Sequence, residues 1–208
     1  MSTHAIDHDT SDERPALRLV RGGASIDLPA AERAVADLLV ALGQDSDDEH
    51  NRDTPRRVAA AYAELLTPRS FNLTTFPNDE CYDELVLARD IPFHSLCQHH
   101  MLPFTGVSHV GYLPGERILG LSKLARVVEL FARGLQVQER LTKQVAGWLQ
   151  EHLEPKGVGV VLEAEHLCMS LRGVQASGSR TVTSAVHGLL RDDPRSRSEF
   201  FSLTGVRP

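Results

Sequence analysis

Apolar residues recur along this chain in two periods, and the switches between them mark out its elements. Val35, Leu38, Leu39 and Leu42 follow the i, i+3, i+4, i+7 spacing of one helix face. Asp27 is placed to cap that helix, Pro29 suits its first turn, and Gly43 suits its end. A second helix is expected from Thr54, read as its cap, with Pro55 at N1, a stripe of Val58, Tyr62, Leu65 and Leu66, and a stop at Pro68. A third covers residues 122–133, with Ser122 as cap and Leu124, Val127, Val128 and Phe131 on one face, and Gly134 breaks it. A fourth covers residues 137–153 on a stripe of Val137, Leu141, Val145, Trp148, Leu149 and Leu153. The short break between these two makes them an antiparallel pair.

Period-two alternation marks strands. It is weak over residues 85–91 and clearer over 105–112 and 180–187. It is strongest from residue 157, where Val158, Val160, Leu162 and Ala164 share a face. A strand that continues to 168 puts His166 and Cys168 on that face too. A last helix is expected over 194–203, capped by Asp193. Residues 43–53 and 70–83 read as loops.

The second half therefore runs strand, strand, helix, helix, strand, strand. Two hairpins flanking a helix pair make an α+β unit with an antiparallel four-stranded sheet. Such a sheet has open edges, and joining subunit sheets into a ring is one way to cover them. Three regions follow: a polar, aperiodic tail over 1–26, expected to be mobile, a helical extension over 27–83, and the α+β domain over 84–208.

Composition narrows the class. The chain is 208 residues long, 41% apolar and 24% charged, a globular composition. It has no apolar run of membrane-span length, and its first residues lack the apolar core of a secretory signal, so a cytoplasmic protein without a membrane partner is expected. A formal charge of −6 argues against a general nucleic-acid binder but leaves room for an anionic small substrate. Three widely spaced cysteines fit metal or catalytic use in a reducing compartment better than a disulfide framework.

The chemistry concentrates in residues 93–104, FHSLCQHHMLPF. Cys97 and His100 stand three apart and can reach one ion, and thiolate with imidazole favours zinc. Cys168, with His166 two residues earlier, is the natural third ligand from afar. Cys81, among acidic residues, reads as a bystander. Three protein ligands leave a position for water, as in catalytic zinc sites; a fourth from His99, His166 or Cys81 makes a structural site. The competing reading is two buried thiols beside ordinary hydrogen-bonded histidines. Two thiolates and a neutral imidazole cancel the charge of Zn²⁺ and weaken it as a Lewis acid, so a hydrolase built this way benefits from separate proton donors. His99 and His166 are the candidates.

Cationic side chains, each by itself an ordinary surface charge, could gather around an anion. Ser122 and Lys123, with Arg126 a turn later, sit at a helix N-terminus. Arg172 follows Cys168 by four. Arg56 and Arg57 occupy a first turn, where cations oppose the helix dipole. Glu139 could accept two hydrogen bonds from an amidine-like edge such as guanine's and would reject adenine. By itself it reads first as an ordinary helix N-terminal glutamate, favoured by the dipole.

The segments SLCQHHMLPF, GYLPGERILGLSKLARVVELFARGLQVQERLTKQV and GVGVVLEAEHLCMSLRGVQ resemble GTP cyclohydrolase I from about residue 30 onward. The resemblance implies the tunnelling fold, with subunit sheets joined into a barrel, preceded by N-terminal helices. It implies a homodecamer of two pentamers with sites at subunit interfaces. It also implies one Zn²⁺ per subunit on Cys97, His100 and Cys168, acid–base work by His99 and His166, guanine recognition by Gln138 and Glu139, and triphosphate contacts from Ser122, Lys123, Arg126 and Arg172, with Arg57 from a neighbouring subunit. The implied reaction opens the imidazole ring of GTP at C8, releases formate and yields 7,8-dihydroneopterin triphosphate for folate or tetrahydrobiopterin synthesis. Gln98 departs from the family's usual Glu, which removes a negative charge beside the metal and spares every position named above. A related zinc lyase would use three histidines, and a nitrile reductase a nucleophilic cysteine without zinc. Two cysteines plus one histidine fit neither. Intact His99 and His166 argue against a non-catalytic scaffold.

Overall fold

The computed structural model describes residues 18–19, 25–44 and 48–206. Most of the tail expected over 1–26 lies outside these residues. Within it, β1 (Arg18–Leu19) pairs antiparallel with β2 (Phe71–Asn72), so both the tail and the loop at 70–83 contribute strand residues that the sequence pattern did not predict.

Helix α1 (Leu28–Ala41) is capped as expected, Asp27 Oδ1 accepting from the Ala30 amide at 2.9 Å. Helix α2 (Thr54–Leu66) starts one residue earlier than expected: Thr54 lies inside it, and Asp53 is the cap residue. Strand β3 (Thr75–Pro77) follows. Then β4 (Val86–Cys97) and β5 (Pro103–Leu113) form a hairpin far longer than the alternation suggested. A short β6 (Arg117–Leu119) pairs with β3 and leads into α3 (Ser122–Ala132), in which Ser122 is again the first helical residue and not the cap. A two-residue β7 (Leu135–Gln136) precedes α4 (Gln138–Leu153). Strand β8 (Gly157–His166) then turns into a short α5 (Leu167–Ser170), and β9 (Thr181–Gly188) leads through α6 (Leu189–Asp192) to α7 (Pro194–Thr204). The Asp193 carboxylate caps α7 by accepting from the Ser196 amide at 3.0 Å.

The sheet order is β7-β4-β5-β8-β9. Four strands form the expected antiparallel sheet, and β7 adds a parallel stub beside β4. One face carries Phe93, Phe104, Val110, Tyr112, Val158, Val160, Leu162 and Ala164, buried against Leu124 and Val128 of α3 and Leu141, Val145 and Leu149 of α4. Each fully buried aliphatic side chain of this kind contributes about 1.5–3 kcal/mol. A bulge between Ala88 and Ile91, with Asp90 at φ 55°, keeps this face apolar by shifting the side-chain alternation of β4. The other face packs Leu113, Val161 and Val186 under Phe200 and Phe201 of α7. Gly159 is needed there because a Cβ would stand 2.6 Å from the Phe200 ring.

The pairings bring several chain ends to one place. Leu96 faces Pro103, Phe104 faces His166, and Cys97 lies beside Gln136, just before α4 begins. The end of β4, the start of β5, the end of β8 and the N-terminus of α4 thus share one end of the sheet.

Candidate metal centre and active site

Cys97 is the last residue of β4, and its backbone holds the turn that follows. Its amide donates to Leu102 O at 2.8 Å, and its carbonyl accepts from the Met101 amide at 2.8 Å. Met101 takes φ 55° to close this turn. The Tyr62 hydroxyl donates to Met101 O at 3.2 Å and so braces the turn from α2. The Gln98 amide bonds to Gln136 O at 2.9 Å while its side chain stays exposed.

Cys168 reaches the same point from α5. The alternation placed it on a continuing strand face. The strand instead ends at His166, and one helical turn delivers the thiol to Cys97. The two buried sulfurs stand 3.8 Å apart, and His100 Nδ1 lies 3.8 Å from Cys97 Sγ. Donor atoms of Cys97, His100 and Cys168 all lie within 4.8 Å of one another. In a tetrahedral zinc site, sulfurs about 2.3 Å from the ion stand about 3.8 Å apart, so this donor set fits the metal. Burial, reinforced by neighbouring Cys97, pushes the Cys168 thiol up from its ordinary value, and Arg172 opposes that shift. His99 Nδ1 is 3.9 Å from Cys97 Sγ but stands outside the three-donor group, and its ring is exposed.

His166 lies beside the cluster at the end of β8. Its ring stacks on Phe104 with centroids 4.6 Å apart and planes 3° from parallel. Its Nε2 is 2.8 Å from Gln138 Oε1. Burial holds its pKa below the ordinary value, partly offset by Glu139, so the ring is neutral and able to accept a proton near neutral pH. Gln138 is only 1% exposed, and its amide is engaged within the chain at both ends. Glu139, the next residue, is exposed in the first turn of α4. Arg172 Nη1 lies 3.3 Å from His100 Nε2, which brings its guanidinium to the rim of the cluster.

The remaining candidates are elsewhere in this chain. Ser122 and Lys123 follow β6, which continues from the Leu113 end of β5, whereas the cluster sits at the Pro103 end. Those ends of an eleven-residue strand are about 30 Å apart. Arg126 pairs with Glu129 at 3.6 Å and lines a separate cavity of about 440 Å³ with Glu64, Arg69, His94 and Arg133. Arg57 is exposed at the start of α2 and pairs with Asp53 at 3.3 Å.

Several site residues were not singled out from the sequence. Phe104 could have been found from its strand position opposite His166, had the β5–β8 register been known. Thr142 and Thr183, which meet through their hydroxyls at 2.6 Å beside Gln138, carry no comparable signal. Buried Gln136 joins β7 to α4 by donating to Gln144 Oε1 and accepting from Arg140 Nε, each at 2.8 Å.

Fold and donor set together place the chain among α+β proteins that gather two thiols and an imidazole, a donor set fit for a metal, at the end of an antiparallel sheet. The pattern of the GTP cyclohydrolase I family matches residues 31–205, and the chain belongs to that family. It is 54% identical to GTP cyclohydrolase 1 of Streptomyces avermitilis over 184 residues, which covers 85% of this chain and 90% of that protein. It is 52% identical to GTP cyclohydrolase 1 of Mycolicibacterium vanbaalenii over 187 residues, covering 86% and 92%. It is 49% identical to GTP cyclohydrolase 1 of Aquifex aeolicus over 179 residues, covering 86% and 97%. Among the described residues, no helix is long and apolar enough to cross a membrane.

Proposed function

We propose that this chain is a zinc-dependent hydrolase that opens the imidazole ring of GTP at C8, releases formate and forms 7,8-dihydroneopterin triphosphate. This is the first step of a folate- or tetrahydrobiopterin-type pathway. The observation that carries the reading is the meeting, at one sheet end, of a Cys₂His donor set with a neutral, stacked histidine and an exposed glutamate, in a chain of this family.

Held by Cys97, His100 and Cys168, a zinc ion supplies Lewis acidity and a more acidic water. His166 takes the proton as water adds at C8 and returns one as the ring opens, a role its lowered pKa suits. His99, exposed with its Nδ1 3.9 Å from Cys97 Sγ, is the second proton carrier. The Glu139 carboxylate accepts from N1–H and the 2-amino group of guanine, and adenine, with no such donor pair, leaves it unpaired. Gln138 takes part beside it through His166. Arg172 takes a phosphate oxygen from the rim.

Ser122, Lys123 and Arg126 reach the same triphosphate only from a second copy of the chain, and Arg57 from a neighbouring subunit. Two further observations support assembly into joined sheets and a decamer. Among the described residues, strand β9 is an open edge of the sheet. Helix α1 has no buried residue, and Leu38, Val40 and Leu42 are each more than half exposed.

The direct test incubates the purified protein with GTP and follows formate release and pterin absorbance, with and without a chelator. Metal-dependent turnover of GTP with ATP inert is expected. A zinc-replete sample that leaves GTP intact overturns the proposal.

A further inference from the structure

We infer that Gln138 is a positioning residue that fixes the tautomer of His166, so that the ring meets substrate through Nδ1. The inference rests on the reading of His166 as the acid–base group and adds which nitrogen does the work and what holds it there.

The hydrogen bonds around Gln138 have one consistent direction. Its Nε2 lies 3.1 Å from Leu162 O and 2.9 Å from Thr181 O, carbonyls of β8 and β9. Carbonyl oxygens only accept, so the NH₂ end of the amide must face them and the oxygen end must face His166. The threonines agree. The Thr142 hydroxyl donates to Gln138 O at 2.8 Å, one turn back along α4. Having spent its proton there, it accepts from the Thr183 hydroxyl at 2.6 Å. That leaves a Thr183 lone pair toward Gln138 Nε2 at 3.1 Å. Reversing the amide would place its oxygen against two carbonyls in a site closed to water.

With Oε1 facing His166 at 2.8 Å, the imidazole Nε2 must carry the proton. A neutral ring has one N–H, so Nδ1 holds the free lone pair. Phe104 fixes the ring plane by stacking, and turning the ring over would set a C–H against Oε1. Sheet carbonyls, glutamine and ring therefore form a relay that presents one nitrogen to the substrate. A histidine held in the wrong tautomer cannot accept the proton it should, even with its geometry intact.

The test uses the full-length, metal-loaded protein labelled with ¹⁵N at histidine. Magic-angle-spinning ¹⁵N spectra are recorded at a pH at which the ring is neutral, with His166→Gln used to identify the signals. The wild type is expected to show a pyrrole-type Nε2 and an imine-type Nδ1, and Gln138→Met a mixture of tautomers. A wild-type His166 protonated on Nδ1 overturns the inference, and this readout needs no variant of Gln138 to fold. Kinetics add a second arm. Gln138→Met should lower kcat about tenfold to a hundredfold, as for other residues that orient a working histidine, with KM for GTP changed less than about threefold. A raised KM with kcat retained makes the Gln138 amide a guanine contact and overturns the inference. The expected spectrum from a wild type that leaves GTP intact defeats the functional reading alone and leaves the tautomer assignment standing.

Discussion

At the residue scale, the ligand and proton-transfer roles separate by substitution. Cys168→Ser removes one of two buried thiols from the donor set, so zinc measured by metal analysis should fall to background and GTP turnover with it. His166→Ala should keep its zinc and lose turnover about a hundredfold or more. Loss of metal from His166→Ala with retention in Cys168→Ser would reverse the assignment. Gln98→Glu alters an exposed side chain next to Cys97, so turnover should survive in both forms. A collapse of either would show that this charge matters to the reaction. His109 sets a pH dependence of stability. It is 3% exposed, accepts from the Asp90 amide through Nδ1 at 3.4 Å, and is held by burial below its ordinary 6.5. The unfolded chain therefore takes up this proton first as pH falls. The stability contributed by neutral His109 is complete above about pH 6.5 and is lost as pH drops below it. His166 and His187 are shifted in the same direction. The melting temperature should fall between about pH 7.5 and about pH 5.5, and His109→Gln, which keeps an acceptor for Asp90, should shrink that fall.

At the element scale, α7 is the piece whose seat is easiest to disturb without touching the site. It is capped by Asp193 and buries Phe200 and Phe201 on the sheet face opposite α3 and α4. Gly159→Ala drives a methyl into the Phe200 ring and should cost about 1–3 kcal/mol, read by chemical denaturation, with metal content unchanged. Stability equal to the wild type would mean that Phe200 has room to move. This helix was legible in the sequence because Asp193-Pro194 is a start signal and its apolar residues are local. The apolar stripes of α3 and α4 were legible for the same reason. The short strands β2, β3 and β7 were not, since two or three residues become a strand only through a partner: Thr75 through Arg117, for example, whose Nε donates to Thr75 Oγ1 at 2.8 Å. The caps read at Thr54 and Ser122 missed by one residue because the preceding Asp53 and Leu121 take the cap position without a side-chain hydrogen bond. Within the site, Cys97, His100 and Cys168 were legible from chemistry and spacing. The orientation of Gln138 was not, because it depends on carbonyls of two strands whose pairing no local pattern encodes.

At the scale of the whole molecule, the separation between the α3 N-terminus and the metal centre has a direct readout. If a complete site takes Lys123 from one copy and Cys168 from another, a Lys123→Ala protein and a Cys168→Ser protein should each be nearly inactive. Subunits exchanged between them should then regain part of the wild-type turnover, because some interfaces receive both intact halves. A mixture no more active than its components would mean that each chain completes its own site.

The candidate metal centre also has a place in time. Its two thiols are 71 positions apart and meet only after β8 has registered against β5. Closing so long a loop precedes any reward from coordination, so the ion cannot act as a nucleus for the fold. Interactions absent from the folding transition state slow unfolding and leave the folding rate alone. Zinc should therefore lengthen the lifetime of the assembled chain under denaturant while the refolding rate stays the same, making the ion a latch that closes last and opens first.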